Sequence, residues 1–392
     1  MAIACRSFAK INLGLRIGAA RADGFHELLT VYQTIALHDI IRVSVGRGSG
    51  IEIKCSDPRV PRDESNTCYR IVDRAMAALR AKGRIIVEID KRLPVQGGLG
   101  GASSNAVATL LGLERALRKR LPAAEKLRIA ADVGSDLPLF LVGGTVLGLG
   151  RGEQVYPLPD LPAIHCVAVT PEIGVSTPKA FAEWDRRQGL KPVSAEAPDA
   201  ALKRSSSTAN SATSFSPVKE EIGSEIPTTR KDGETWGTRD ARLRSAGQAG
   251  AAVSTHTEAK LTASAASDRM EELGRRLSAW LSEPYSSAPS SFMARRGRPE
   301  NPLLWLVRAG IENDFEQVVF PEYPELCEGK RALVRAGAKC ASLSGSGSTL
   351  YGLFGSKGAA ERAAVRLRKQ GWVAQATQTL TRPAYWRRLV RG

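Results

Sequence analysis

What the chain lacks narrows its identity first. No apolar run is long enough to span a bilayer, which argues against a membrane partner. The six cysteines, Cys5, Cys55, Cys68, Cys166, Cys327 and Cys340, form no Cys-x-x-Cys pair, and there are only four histidines. A zinc site has little to draw on. Scattered thiols fit a reduced, cytoplasmic protein better than a disulfide framework. The first twenty residues carry Arg6, Lys10 and Arg16 with no acid, a faint transit-peptide pattern. MAIACRSFAKINLGL nevertheless alternates as a strand does and reads as part of the fold. The net charge of +16 comes from dispersed Arg and Lys, the pattern of a solvated basic surface. Basic and aromatic residues interleave only in the tail, at Arg382, Tyr385, Trp386, Arg387, Arg388 and Arg391. That argues against a nucleic-acid partner and leaves small phosphorylated ligands as anions such a charge would attract.

A chain of 392 residues can hold two domains and a large core. Strand and helix patterns are dense up to about Val169. Val31–Ala36 and Ile40–Val45 read as strands with His38-Asp39 between them, Asn66–Leu79 as a helix, and Ile85–Ile89 as a strand. Ala102–Leu117 and Glu125–Val133 read as helices, Thr145–Leu149 and Ile164–Val169 as strands. After Gly189 the composition turns to Ser, Thr and Ala with few aromatics, too little apolar surface to offset ordering entropy. We expect a disordered insertion at about 190–298, with helical spacing regained at Asp268–Leu281. Beyond it come helices at Pro302–Ala309, Tyr323–Ala336 and Lys357–Gln370, and strands at Cys340–Ser344, Thr349–Phe354 and Trp372–Thr379. The expected class is α+β, with an N-terminal domain at 1–170 and a C-terminal domain at 171–392 that carries the insertion.

The stretch Leu93–Leu113, LPVQGGLGGASSNAVATLLGL, is the most specific local feature. Gly97, Gly98, Gly100 and Gly101 allow backbone angles and approaches that a Cβ would block. Ser103 and Ser104 then open a helix, whose free N–H groups and dipole favour an anion. No Lys-Ser or Lys-Thr closes the loop, so it is not a P-loop. Ser103 at the sixth position excludes the dinucleotide fingerprint.

Three segments accompany it. Lys10 sits inside an apolar strand, Asp136 sits among Leu137, Leu139 and Phe140, and a second glycine-serine turn spans Ser344–Ser348. Each has a purely structural reading: a snorkelling edge lysine, a helix N-cap before Pro138, and a hairpin loop. Together they supply the parts of phosphoryl transfer. The aspartate accepts a hydroxyl proton, the lysine keeps it ionised, and the loops hold the phosphate chain.

PxxxGLGGxSSN at Pro94–Asn105, FAKINL at Phe8–Leu13, GSDLPLFL at Gly134–Leu141 and SGSGST at Ser344–Thr349 resemble the GHMP kinase superfamily. RADGFHEL at Arg21–Leu28, GVSTPKAF at Gly174–Phe181 and NDFEQVVFPEYPEL at Asn313–Leu326 resemble one branch of it. That branch phosphorylates the 2-hydroxyl of a methylerythritol carried on cytidine diphosphate, in the non-mevalonate route to isoprenoid precursors. The resemblance covers about Ile3–Trp184 and Asn301–Thr379. It implies a ribosomal-protein-S5-like N-terminal domain, a ferredoxin-like C-terminal domain, and ATP with Mg2+ as cofactors.

The resemblance also implies roles. Asp136 matches the catalytic base and Lys10 its partner. Asn12 and Thr177 match positions near the methylerythritol. His26 matches a residue on the cytosine edge, Phe25 and Phe181 the aromatics that sandwich the ring, and Leu15 and Leu28 the apolar lining. Asn66 matches a residue near adenine. Pro94, Gly97, Gly98, Leu99, Gly100, Gly101, Ala102, Ser103 and Ser104 match the ATP loop. No protein ligand for Mg2+ is assigned; Ser104 is the nearest candidate. Taken singly, His26 reads as a turn histidine, and Phe25 and Phe181 as core. Ala102 stands where a third glycine is common, and Ser348 where proline is common. The rival readings are another GHMP kinase acting on homoserine or mevalonate, and a non-catalytic RNA- or nucleotide-binding module on an S5-like fold.

Overall fold

A computed structural model describes residues 2–21, 23–189 and 312–390. The expected insertion, its helical stretch Asp268–Leu281, the expected helix Pro302–Ala309 and Arg391 lie outside the described residues. The first sheet holds β1 (Ile3–Ala20), β2 (His26–Gly46), β3 (Ile51–Cys55), β4 (Arg84–Asp90), β5 (Thr145–Leu149) and β6 (Gln154–Pro157). Its order is β3-β4-β2-β5-β6, with β1 paired along β2. All its pairings are antiparallel except β3 with β4. Helices α1 (Thr67–Ala78), α2 (Gly101–Leu117), α3 (Ala123–Val133) and α4 (Leu137–Val142) belong to this lobe.

The second sheet is antiparallel, in the order β10-β7-β9-β8. Its strands are β7 (His165–Val169), β8 (Cys340–Leu343), β9 (Leu350–Phe354) and β10 (Ala374–Gln378). Helices α5 (Thr177–Arg187), α6 (Glu316–Glu322) and α7 (Pro324–Arg335) fall between β7 and β8, and α8 (Lys357–Lys369) between β9 and β10. This is the split β-α-β-β-α-β arrangement of a ferredoxin-like lobe. The final helix is α9 (Arg382–Leu389).

Local chemistry accounts for these elements. Asn66 caps α1 by accepting the Cys68 N–H at 2.8 Å, a bond worth about 1 kcal/mol. Cys68, Ile71, Val72 and Ala75 then fall on one buried stripe. Helix α2 is buried from Ser104 to Glu114, as an all-round apolar pattern requires. It packs with β1, β2 and the other helices of its lobe into one core that includes Phe8, Ile71, Leu110 and Phe140. Ala9, Ile11 and Leu13, of opposite parity to Phe8 on β1, enter a different core with Cys166, Tyr351 and Leu353 of the second sheet. Strand β1 is therefore covered on both faces, which explains its near-continuous apolar run.

Two expectations need correction. The two strands expected on either side of His38-Asp39 are one continuous β2. Asp39 reads as a break between strands in sequence, but it is fully buried and accepts from Lys91 Nζ and from the N–H groups of Arg92 and Leu93, each at 2.7 Å. β7 lies in the second sheet, so the two sheets part in sequence between β6 and β7. The tail is also not a free basic stripe. Tyr385 is buried and donates to the Phe140 carbonyl at 2.7 Å, Trp386 Nε1 donates to Val142 O at 3.0 Å, and Arg382 donates to the carbonyls of Thr145 and Leu158. Helix α9 thus packs back on the first lobe.

Candidate active site

Lys10 reaches the site through an irregularity in β1. The register shifts between Phe8 and Lys10, and the Lys10 N–H leaves the ladder to donate to Leu99 O of the glycine loop at 3.0 Å. Bulges re-aim side chains in this way. The Lys10 side chain is buried, so it does not snorkel. Its Nζ donates to Asn12 Oδ1 at 2.7 Å and lies 3.4 Å from Asp136 Oδ2. Asn12 in turn donates to Thr30 Oγ1 at 2.8 Å, and Thr30 to Gly14 O at 2.8 Å. That chain orients the amide so that its oxygen faces the ammonium. Asp136 stands at the start of α4 but makes no side-chain capping bond. Its carboxylate is one-third exposed and open to a substrate.

Tyr32 completes the group. It faces Asn12 in the β1–β2 register and donates its phenol to Asp136 Oδ1 at 3.1 Å. Burial, reinforced by the Asp136 charge, holds the Tyr32 hydroxyl well above its ordinary range, so it stays a protonated donor. Lys10 Nζ also lies 5.6 Å from its ring centre.

The glycine loop closes over this pair. Gly98 and Gly100 have φ of +72° and +67°. A Cβ on Gly100 would come within 3.0 Å of both Lys10 Cγ and Phe140 Cζ. Helix α2 begins at Gly101 with no side-chain cap and no acid in its first turn, which leaves N–H groups for an anion. The second turn packs directly on the first: Ser344 Oγ donates to Gly98 O at 2.9 Å and the Thr349 N–H to Gly97 O at 3.1 Å. Thr349 Oγ1 and Asn105 Oδ1 are buried without a hydrogen-bond partner, and Asn105 lines a cavity of about 320 Å³ beside the loop. Pro94, the glycines Gly97, Gly98, Gly100 and Gly101, Leu99, Ala102, Ser103 and Asn66 share that cavity. A cradle too tight for a Cβ, an uncapped helix start and an adjoining cavity fit a nucleoside triphosphate. Ala102 lies exposed in the first turn of α2, where its methyl meets no obstacle to the helix. Ser104 is buried and its Oγ accepts from Ser7 at 2.8 Å. No group of three or more acids, histidines or cysteines that could hold a metal converges among the described residues.

The remaining candidate residues lie along β1, β2 and α5. Thr177 opens α5 and its Oγ1 is 2.7 Å from Ser346 Oγ of the second turn. His26 is buried, with Nε2 2.7 Å from Asp185 Oδ1, and its ring stacks on Phe181 at 4.8 Å and 9°. Phe181 also meets Phe315 edge-on at 4.9 Å. Phe25 is 48% exposed, which removes the core reading, and the Arg151 guanidinium lies over its ring at 4.9 Å. Leu15 is buried in the core of the second lobe and Leu28 packs against that core. Asn313 pins the second turn by donating to the carbonyls of Leu343 at 2.9 Å and Gly345 at 2.7 Å. Asp314, on the same motif, accepts from Arg16 at 2.8 Å and from the Ile17 N–H at 2.9 Å. Sequence reasoning missed Tyr32, Asp39 and Arg151. For Tyr32, the available signal was its place on the strand paired with FAKINL.

A lysine–aspartate pair under a glycine loop, between an S5-like and a ferredoxin-like lobe, defines a kinase of the GHMP type. In agreement, the GHMP kinases N terminal domain matches residues 66–144 and the GHMP kinases C terminal domain matches 303–371. The 4-diphosphocytidyl-2-C-methyl-D-erythritol kinase of Solibacter usitatus (strain Ellin6076) is 34% identical over 361 residues, covering 91% of this chain and 83% of that protein. The kinase of the same name from Acaryochloris marina (strain MBIC 11017) is 41% identical over 197 residues, covering 50% of this chain and 63% of its own length. The chain belongs to the 4-diphosphocytidyl-2-C-methyl-D-erythritol kinase family. A crystal structure of 4-(cytidine 5′-diphospho)-2C-methyl-D-erythritol kinase shares the fold, with a TM-score of 0.59 at 23% identity over 96% of this chain and 99% of that one. Homoserine kinase from Cytophaga hutchinsonii shares it with a TM-score of 0.57 at 16% identity, covering 97% and 95%.

Proposed function

We propose that this chain transfers the γ-phosphoryl group of ATP to the 2-hydroxyl of 4-diphosphocytidyl-2-C-methyl-D-erythritol in the cytoplasm. The observation that carries the reading is the Lys10–Asp136 pair, 3.4 Å apart, directly beneath the glycine loop. Asp136 takes the hydroxyl proton as the oxygen attacks. Lys10 lies beside the carboxylate and offsets negative charge on the transferring group. Asn12 holds the ammonium in place, and with Thr177 it flanks the tetrol. The N–H groups at the start of α2 and the backbone from Pro94 to Ser104 hold the phosphate chain, with Asn66 on the adenine side. Mg2+ bound with ATP would neutralise charge on the phosphate oxygens.

Phe25, His26 and Phe181 take the cytosine, with Leu15 and Leu28 behind them. Stacking of a base on an aromatic ring is worth roughly 1–3 kcal/mol, enough to select the handle away from the reacting hydroxyl. The lobes divide between β6 and β7, and α9 returns to the first. The test is an ATP-consumption assay with the cytidylylated tetrol, homoserine and mevalonate as acceptors. We expect turnover with the first alone and a fall of about 10²–10⁴-fold for Asp136→Asn, the range for a lost general base. An unchanged rate in that variant, or a preference for homoserine, would remove the assignment.

A further inference from the structure

The turn after β5 is not used by the reading above, yet it joins the two ends of the site. Leu28 donates its N–H to Gly150 O at 2.6 Å, next to the expected cytosine lining. Gly152 lies against the other end: a Cβ there would come 2.3 Å from Tyr32 Oη, the atom that donates to Asp136. Between these two glycines stands Arg151. Its guanidinium lies over the exposed ring of Phe25. Its backbone N–H donates to Glu153 Oε2 at 2.6 Å, but the nearest side-chain contact to that acid is 3.7 Å, beyond hydrogen-bond reach. Arg151 Nε is buried with no hydrogen-bond partner. Arg151 thus has an ion pair with Glu153 at 3.7 Å but no side-chain hydrogen bond to an acid, whereas Arg21 donates to Asp23 and Glu27, and Arg186 and Arg187 to Glu183.

We infer that Arg151 binds the diphosphate of the cytidylylated substrate. The inference rests on the proposed function, because that substrate places a diphosphate between its cytosine and its reacting hydroxyl. Phe25 marks one end of that span and Asp136 the other, and Arg151 is anchored between them. A guanidinium over an exposed ring is weakly held, whereas bidentate, charge-assisted bonds to phosphate oxygens are strong and directional. The side chain therefore leaves the ring for the diphosphate when the cytosine arrives. Arg151 is a specificity residue for a phosphorylated handle, distinct from the pair that moves the proton.

The experiment is titration calorimetry of the full chain with cytidine and with cytidine diphosphate, the ATP site being filled by a non-hydrolysable ATP analogue. Arg151→Met should weaken cytidine diphosphate by about 10–100-fold, the value of a charged hydrogen bond, and leave cytidine within about twofold. Arg151→Lys should recover part of the loss, and KM for the cytidylylated tetrol should rise more than kcat falls. Equal binding of cytidine diphosphate by wild type and Arg151→Met overturns the proposal. So does an equal loss for both ligands, which would make Arg151 a packing partner of Phe25. Wild-type protein that binds neither ligand would instead remove the proposed substrate, and this inference with it.

Discussion

Replacing Gly98 with alanine tests the coupling between the two glycine turns. Gly98 has φ +72°, and a Cβ there would stand 2.2 Å from Ser344 O and 2.7 Å from Gly347 O. Both obstacles are backbone atoms, so no rotamer change relieves them. The left-handed conformation alone costs an alanine roughly 1–2 kcal/mol. Separating the turns also breaks the bonds from Ser344 Oγ to Gly98 O and from the Thr349 N–H to Gly97 O, at about 0.5–1.5 kcal/mol each. The sum is about 2–5 kcal/mol, or about 4–20 °C in Tm at about 2–4 °C per kcal/mol. Gly371→Ala is the control, since Gly371 has φ +88° with open space around it and bears only the conformational cost. Thermal melts of both variants, with KM for ATP, form the assay. A Gly98→Ala protein that melts with the control and keeps its affinity for ATP would refute the claim that these loops form one tight cradle.

Two further outcomes follow from the same geometry. Tyr32→Phe keeps the ring over Lys10 and removes only the donor to Asp136 Oδ1. Steady-state kinetics should show kcat lower by about 10–100-fold, as for loss of a hydrogen bond to a charged group, with KM for ATP unchanged; an unaltered kcat would mean the phenol only fills space. The second outcome concerns alkaline pH. Burial pushes the Cys5 thiol up to about 11 and those of Cys68, Cys166 and Cys340 up to about 12, from an ordinary value of 9.0. These thiols ionise more readily in the unfolded chain, so their contribution to stability is full below pH 9 and is lost as pH rises from 9 towards 12. Melting temperatures across about pH 7–11 should hold level and then decline above about 9; a Tm still level at the upper end would contradict the burial of these groups.

Local patterns were legible where local chemistry decides the outcome. Asn66 ahead of an apolar stripe marked α1, and the glycines after β4 marked the entry to α2. Long-range pairing was not legible. His38-Asp39 reads as a break between strands because an acid in a strand has no evident partner, and its partners are the side chain of Lys91 and two backbone N–H groups just beyond it. The tail reads as a basic surface because its charges are visible, while the pocket that receives Tyr385 depends on Phe8 and Phe140, far away in sequence. In the site, Lys10 and Asp136 stood out as charges among apolar neighbours. Tyr32 did not, since a tyrosine in a strand is ordinary until the β1–β2 register sets it opposite Asn12. Arg151 stayed hidden for the same reason: only the folded turn carries it to Phe25.

The return of α9 to the first sheet has a consequence for synthesis on the ribosome. Tyr385 packs tilted against Phe8, and Val390 bridges Cys5 near the start of β1. A strand made early is therefore sealed by a helix made long after it. Until then one side of the lobe that houses Asp136 stays unsealed, and a nascent chain stalled before Leu389 would present that apolar flank to chaperones.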